Sequence, residues 1–154
     1  MTSDPTLQAA QFGPPVLAER VGYLFAKLHH RCGTEAAAAF REAGLGLGGM
    51  HFGALSVIEA EGPMSQQELG DLVKKDRTSV VALVDELEGE GLVERHRNPA
   101  DRRAYALEVT AAGRDWLARA RPLMLAAEDA LLADLDEGER AVLIDLLHRV
   151  LRSA

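Results

Sequence analysis

Between Ser65 and Thr110 the spacing of apolar residues changes from three-and-four to two, and that change constrains the fold more than any other feature. Ser65 followed by Glu68 predicts a capping box, in which each side chain satisfies the other residue's free backbone amide at a helix start. The short helix after it carries Leu69, Leu72 and Val73 as its inward residues. Lys74-Lys75 makes a tight connection, and Asp76 caps a second helix. That helix has Val80, Leu83, Val84 and Leu87 at core spacing and ends at Gly89 or Gly91. Leu92 to Arg97 and Ala104 to Thr110 read as strands, because Tyr105, Leu107 and Val109 alternate with Ala106 and Glu108. Between them, Asn98-Pro99-Ala100-Asp101 is dense in turn formers. Two short helices followed directly by a basic hairpin make a winged helix-turn-helix pattern, in a chain that is otherwise mainly α.

Helical periods flank this segment. Residues 1–15 are polar, contain Pro5, Pro14 and Pro15, show no period and read as a flexible tail. From Val16, the residues Leu17, Val21, Leu24, Phe25, Leu28 and Cys32 mark one face of an amphipathic helix that continues to Phe40, with Gly33 a weak point inside it. Gly44, Gly46, Gly48 and Gly49 break it, and Met50 to Glu61 reads as the next helix, stopped by Gly62-Pro63. After Thr110 one helix carries Trp116, Leu117, Leu123, Met124, Ala127, Leu131 and Leu132. Asp136 with Glu139 caps the last helix, whose core face is Leu143, Leu146, Leu147, Val150 and Leu151.

The 154 residues, 47% of them apolar, suffice for a core without disulfides, and the single cysteine excludes an internal disulfide framework. No apolar run is long enough to span a bilayer and the first residues lack the order of a signal peptide, so a cytoplasmic protein with no membrane partner is expected. The net charge of −7 argues at first against a nucleic-acid partner, and acids outnumber bases even between Ser65 and Thr110. The distribution is more informative. Arg95, Arg97, Arg102 and Arg103 cluster against Asp101 alone, Lys74, Lys75 and Arg77 form a second basic knot, and Asp85, Glu86, Glu88 and Glu90 are a separate acidic block. Local patches, not totals, meet phosphates.

The segment from Leu83 to Gly113, with Gly91-Leu92-Val93, Pro99-Ala100-Asp101-Arg102-Arg103 and Thr110-Ala111-Ala112-Gly113, resembles the MarR family of winged helix-turn-helix regulators. The order of elements after the tail matches that family as well. The resemblance implies a homodimer clasped by its first and last helices, a pseudo-palindromic double-stranded DNA operator, and release of DNA when a small, often aromatic, ligand binds. It divides the chain into a tail (1–15), an N-terminal dimerisation helix (16–47), a winged helix-turn-helix domain (48–113) and C-terminal dimerisation helices (114–154). It departs at Val81 and Ala82, where polar or basic side chains are usual, which reduces the number of candidate base contacts.

Arg77, Thr78 and Ser79 occupy the first turn of the second helix, the part of such a helix nearest base edges in the major groove. Arginine can fork onto guanine, and Ser and Thr can donate to bases or phosphates, a reading favoured by the flanking wing over Thr78 and Ser79 as exposed capping residues and Arg77 as a solvated charge. A hairpin tip can place arginine in a narrow minor groove. By resemblance Arg102 does so, while Arg103 and Asp101 brace the wing. Lys74, Lys75, Arg95 and Arg97 are candidate phosphate contacts.

On the sensing side, Arg20, Phe25, His29, Met50, His51 and Trp116 are candidates to line an organic-ligand cleft, against the plainer reading that Phe25 and Trp116 fill the core. Cys32, beside Arg31, His29 and His30, is an alternative oxidant sensor if those neighbours lower its pKa. The same histidines with Cys32 and His51 lack a metal-ligand spacing, so neither a metal nor a cofactor is expected. No nucleophile motif or phosphate loop marks an enzyme. A winged helix that binds protein instead of DNA is the remaining alternative; the acidic total suits it and the Arg-rich hairpin does not.

Overall fold

The computed structural model describes residues 14–97 and 105–152. In chain order the elements are α1 (Pro15–Ala18), α2 (Val21–Glu42), α3 (Gly49–Glu61), α4 (Gln66–Val73), α5 (Arg77–Gly89), β1 (Val93–Arg97), β2 (Tyr105–Val109), α6 (Ala111–Leu131) and α7 (Glu137–Arg152). They divide into two units, one of residues 36–125 and one formed by the residues up to 35 with those from 126 onward.

The unit of residues 36–125 is built on one apolar cluster. Phe40, Leu55, Ile58, Leu69, Val80, Val84, Leu87, Val93, Leu107 and Leu117 are all buried in it, so every element from α2 to α6 contributes. The four core positions expected on α5 are its buried residues. On α4 the expectation needs correction, because Leu69 and Gly70 are buried while Leu72 is 53% exposed. Gly70 lets Val80 of α5 close against the helix, which shifts the contact line to positions 69, 70 and 73 and leaves Leu72 beyond its edge.

Both predicted caps of the helix pair are formed. Ser65 donates its amide to Glu68 Oε2 at 2.7 Å, and Glu68 donates its own to Ser65 Oγ at 3.2 Å. Asp76 Oδ1 accepts the Ser79 amide at 3.0 Å. The hydrogen bonds from Ser65 hold the Glu68 carboxyl below its ordinary pKa, and those from Ser79 do the same for Asp76. A carboxyl depressed in the folded state stabilises fully above its unfolded pKa, so these caps weaken as pH falls through the depressed values. Between the helices, Lys74 takes a left-handed conformation (φ 54°, ψ 48°) and Lys75 donates its amide to the Gly70 carbonyl.

The hairpin pairs antiparallel in the register Val93↔Val109, Glu94↔Glu108, Arg95↔Leu107, His96↔Ala106, Arg97↔Tyr105. Val93, Leu107 and Val109 share one face with Arg95 and are buried; Glu94, His96 and Glu108 share the other and are exposed. Met64 exchanges both backbone hydrogen bonds with Leu107, adding a one-residue third strand at the base of the wing. Each strand is shorter than the sequence predicts, because Leu92 and Thr110 serve the turn and the latch described below.

In the other unit the predicted continuous helix from Val16 is interrupted. The Leu17 amide donates to Pro14 O and the Arg20 amide to Leu17 O, closing a tight turn, and α2 starts afresh from the Arg20 carbonyl. Gly33 does not break α2. Asp136 and Glu139 form the expected reciprocal cap, both bonds at 2.9 Å. Arg140 ties the start of α7 to the end of α6, donating to Asp129 and to the Leu132 and Leu135 carbonyls. The α7 helix buries no residue, and Val142, Ile144, Leu146, Val150 and Leu151 are all exposed. No helix among the described residues is long and apolar enough to cross a membrane.

Candidate nucleic-acid interface

The basic residues expected at an interface lie around the amino end of α5. Lys74, Lys75, Arg77 and Thr78 are exposed there, and Arg97 is exposed on β1. Ser79 is exposed too, but its hydroxyl donates to Asp76 Oδ2 at 2.6 Å, so its proton is committed to the cap. A cleft of about 530 Å³ opens beside this end, lined by Ser65, Gln66 and Gln67 of the α4 start, by Lys75, Arg77 and Val81, and by Tyr105 of the wing. Asp101, Arg102 and Arg103 lie outside the described residues.

Arg95 differs from its neighbours. It sits on the inward face of β1 with its side chain 22% exposed, donating Nη2 to Asp85 at 2.5 Å and Nη1 to Glu88. The two carboxylates are three residues apart on α5, which puts them on one helix face within reach of a single guanidinium fork. Their proximity to Arg95 was legible only as acids at that spacing before an inward strand position. Glu86 accepts from His51 Nε2 at 2.6 Å. Three acids of α5 are thereby hydrogen-bonded within the unit, and the Arg95 charge offsets one of them.

A second arrangement explains the Thr-x-x-Gly sequence after the wing. The α5 helix ends in a Schellman turn, with Gly91 at φ 70° and the Leu92 amide donated to the Leu87 carbonyl. Thr110 Oγ1 donates to the Gly91 carbonyl at 2.7 Å and accepts the Gly113 amide at 3.0 Å, while the Thr110 amide donates to the Leu92 carbonyl. The two ends of the hairpin are latched at its base. Sequence reasoning assigned no role to Thr110, Gly113, Asp85, Glu86 or Glu88.

The expected ligand residues fall in both units. Met50 (51% exposed) and His51 begin α3, whereas Arg20, Phe25 and His29 are exposed residues of the other unit. Trp116 is a core residue, 7% exposed, edge-on to Phe40 with centroids 5.8 Å apart, its indole N–H donated to the Leu45 carbonyl at 3.0 Å. The environment of Cys32 reverses what its sequence neighbours suggest. Burial, then Glu128 and Glu35, push the thiol pKa up, and Arg31 is turned to Glu35 at 3.0 Å. Alkylation of Cys32 by iodoacetamide is accordingly expected to rise with pH around a midpoint above that of a free cysteine; a midpoint below it would restore the oxidant-sensor chemistry. Among the described residues no group of three His, Cys, Asp or Glu is arranged to hold a metal ion.

Residues 45–104, which include the helix pair and β1, match the family profile described as MarR family. The chain is 38% identical over 101 residues to a putative transcriptional regulatory protein for the hcr operon of Thauera aromatica, covering 66% of this chain and 61% of that protein. It is 30% identical over 107 residues to the HTH-type transcriptional regulator BilQ of Clostridium symbiosum, covering 70% and 73%. The fold matches that of a transcriptional repressor, CouR, solved bound to a 23-mer DNA duplex, with a TM-score of 0.79 and 32% identity over 88% of this chain and 94% of that one. With its capped helix pair, latched wing and these relatives, the chain belongs to the MarR family of winged helix-turn-helix transcriptional regulators.

Proposed function

We propose that the protein is a homodimeric repressor that binds a pseudo-palindromic operator and is released from it by a small organic ligand. The observation that carries the DNA reading is the exposed first turn of α5, where Arg77 and Thr78 stand beside Lys74 and Lys75 while the acids of the same helix are paired away. Residues 48–113 form the reading head in this view. Arg77 and Thr78 address base edges in the major groove, and Arg97, Lys74 and Lys75 meet phosphates. Arg102 enters the minor groove, with Arg103 and Asp101 bracing it.

Residues 16–47 and 114–154 supply the dimer contact. The apolar side chains of α2 and α7 exposed at Val21, Phe25, Val142, Ile144, Val150 and Leu151 support that assignment, since a partner helix would take them out of water. A dimer holds two α5 helices about 34 Å apart, one turn of DNA. An organic, aromatic ligand acts only through unequal affinity for the DNA-competent and DNA-incompetent arrangements, so occupancy and DNA binding are reciprocal.

The test is titration of the purified protein against a labelled fragment of its own upstream DNA, across a salt series with random duplex as competitor. Saturable, selective binding by a dimer with a steep salt dependence supports the reading. Binding that is absent, or indifferent to salt, favours a protein-interaction module. Arg102→Ala is expected to weaken operator binding about tenfold, at the lower end of what loss of a groove contact costs. Unchanged affinity and salt slope would remove Arg102 from the interface.

A further inference from the structure

We propose that His51 is a positioning residue for DNA reading: it fastens the amino end of α3 to the carboxyl half of α5 through Glu86 and so sets the rotation at which α5 meets DNA. The proposal rests on the reading of α5 as the recognition helix. His51 is the third residue of α3, where a capping side chain receives the amide preceding the helix, and the Gly48 amide donates to Nδ1 at 3.3 Å. A nitrogen that accepts carries no proton, so the neutral ring holds its proton on Nε2. That proton is donated to Glu86 Oε2 at 2.6 Å, across 35 residues of sequence. Glutamate, a common residue at such a position, could accept the amide but could not also donate to a second carboxylate. Histidine does both with one ring.

Exposed ion pairs contribute little when both partners must be ordered for the purpose. This pair is asymmetric: the His51 side chain is only 16% exposed and already fixed by the cap, while Glu86 is 60% exposed and travels with its helix. Glu86 lies between Asp85 and Glu88, which Arg95 holds from β1, so the carboxyl half of α5 is gripped from α3 and from the wing. Arg77 and Thr78, in the amino half, are exposed. With side-chain tips about 5–6 Å from the helix axis, a rotation of about 10° displaces them by about 1 Å. That is comparable to the tolerance of a base contact.

The experiment uses the full chain and four variants, His51→Ala, Glu86→Ala, Glu86→Gln and the double alanine, titrated with the operator fragment and with random duplex. Glutamine at 86 removes the charge and keeps an acceptor for Nε2–H, which separates the bond from the electrostatics. The ratio of operator to random affinity is expected to fall about tenfold in His51→Ala and Glu86→Ala alike, to fall no further in the double variant, and to be kept by Glu86→Gln. Affinity for random duplex is expected to stay within about twofold in His51→Ala. Retention of the ratio by His51→Ala, or single losses that multiply in the double variant, overturns the proposal. If the unaltered protein does not select DNA, the operator reading fails, and the brace is decided by amide hydrogen exchange over residues 83–89. Exchange speeds up in both single alanine variants and not in Glu86→Gln if the brace exists, and is alike in all of these proteins if it does not.

Discussion

Replacing Gly113 with alanine is expected to cost about 3 kcal/mol of folding stability, read as a lower midpoint in urea denaturation at unchanged slope. A β-carbon there would be driven into the Leu92 carbonyl oxygen and would lie 2.7 Å from Val109 Cγ1. Neither neighbour is the free end of a long side chain that could swing aside. The oxygen belongs to backbone that also accepts the Thr110 amide, and Val109 is a buried strand residue paired with Val93. Relief therefore requires α6 to part from the base of the wing, breaking the bonds that Thr110 makes to Gly91 and Gly113. Gly53, in the interior of α3 with open space where a β-carbon would stand, is the matched control. Alanine there is expected to stabilise by about 0.5–1 kcal/mol through helix propensity. A Gly113→Ala protein within about 1 kcal/mol of the unaltered chain would show that the latch is far softer than its geometry implies.

Arg95→Ala is expected to lower operator affinity by about 10–100-fold, with only about 1 kcal/mol lost in stability because its two partners are largely solvated. Two effects add in DNA binding: the wing loses its tie to α5, and Asp85 and Glu88 become uncompensated negative charges near the phosphates. Sequence alone suggested a phosphate contact for Arg95, and the two roles give different signatures. Loss of a phosphate contact weakens all duplexes alike and reduces the salt slope by about one. Loss of the brace weakens the operator more than random duplex and leaves the slope unreduced. Lysine at 95 keeps the charge without the fork and is expected to restore only part of the affinity. Removing Asp85 and Glu88 together with Arg95 is expected to recover what their repulsion took away. If it recovers nothing and the slope drops by about one, Arg95 is a phosphate contact after all.

What was legible in the sequence was local. The caps at Ser65, Asp76 and Asp136 each involve groups three residues apart, and the buried stripe of α5 follows from its own period. The alternation of Tyr105, Leu107 and Val109 likewise revealed β2. Features set by one element approaching another were not legible. Leu72 has the right type for a core residue, but its burial is decided by where α5 crosses α4. Cys32 has cationic neighbours in sequence, yet burial, with Glu128 from 96 positions away and Glu35, raises its pKa. The basic segment similarly suggested that Arg95 faces DNA, whereas the strand register turns it inward. Among the candidate site residues, charge and exposure at the start of α5 followed from sequence, while the pairing of its acids with Arg95 and His51 did not.

The latch at the base of the wing also bears on how such a protein could diverge. Gly91, Leu92, Thr110 and Gly113 close the hairpin on itself before the chain goes on to α6, so the integrity of the junction depends on residues at its two ends. Changes confined to the stretch between Arg97 and Tyr105 leave every one of those bonds intact. Gene duplicates could therefore exchange that stretch without first re-evolving a stable domain to carry it.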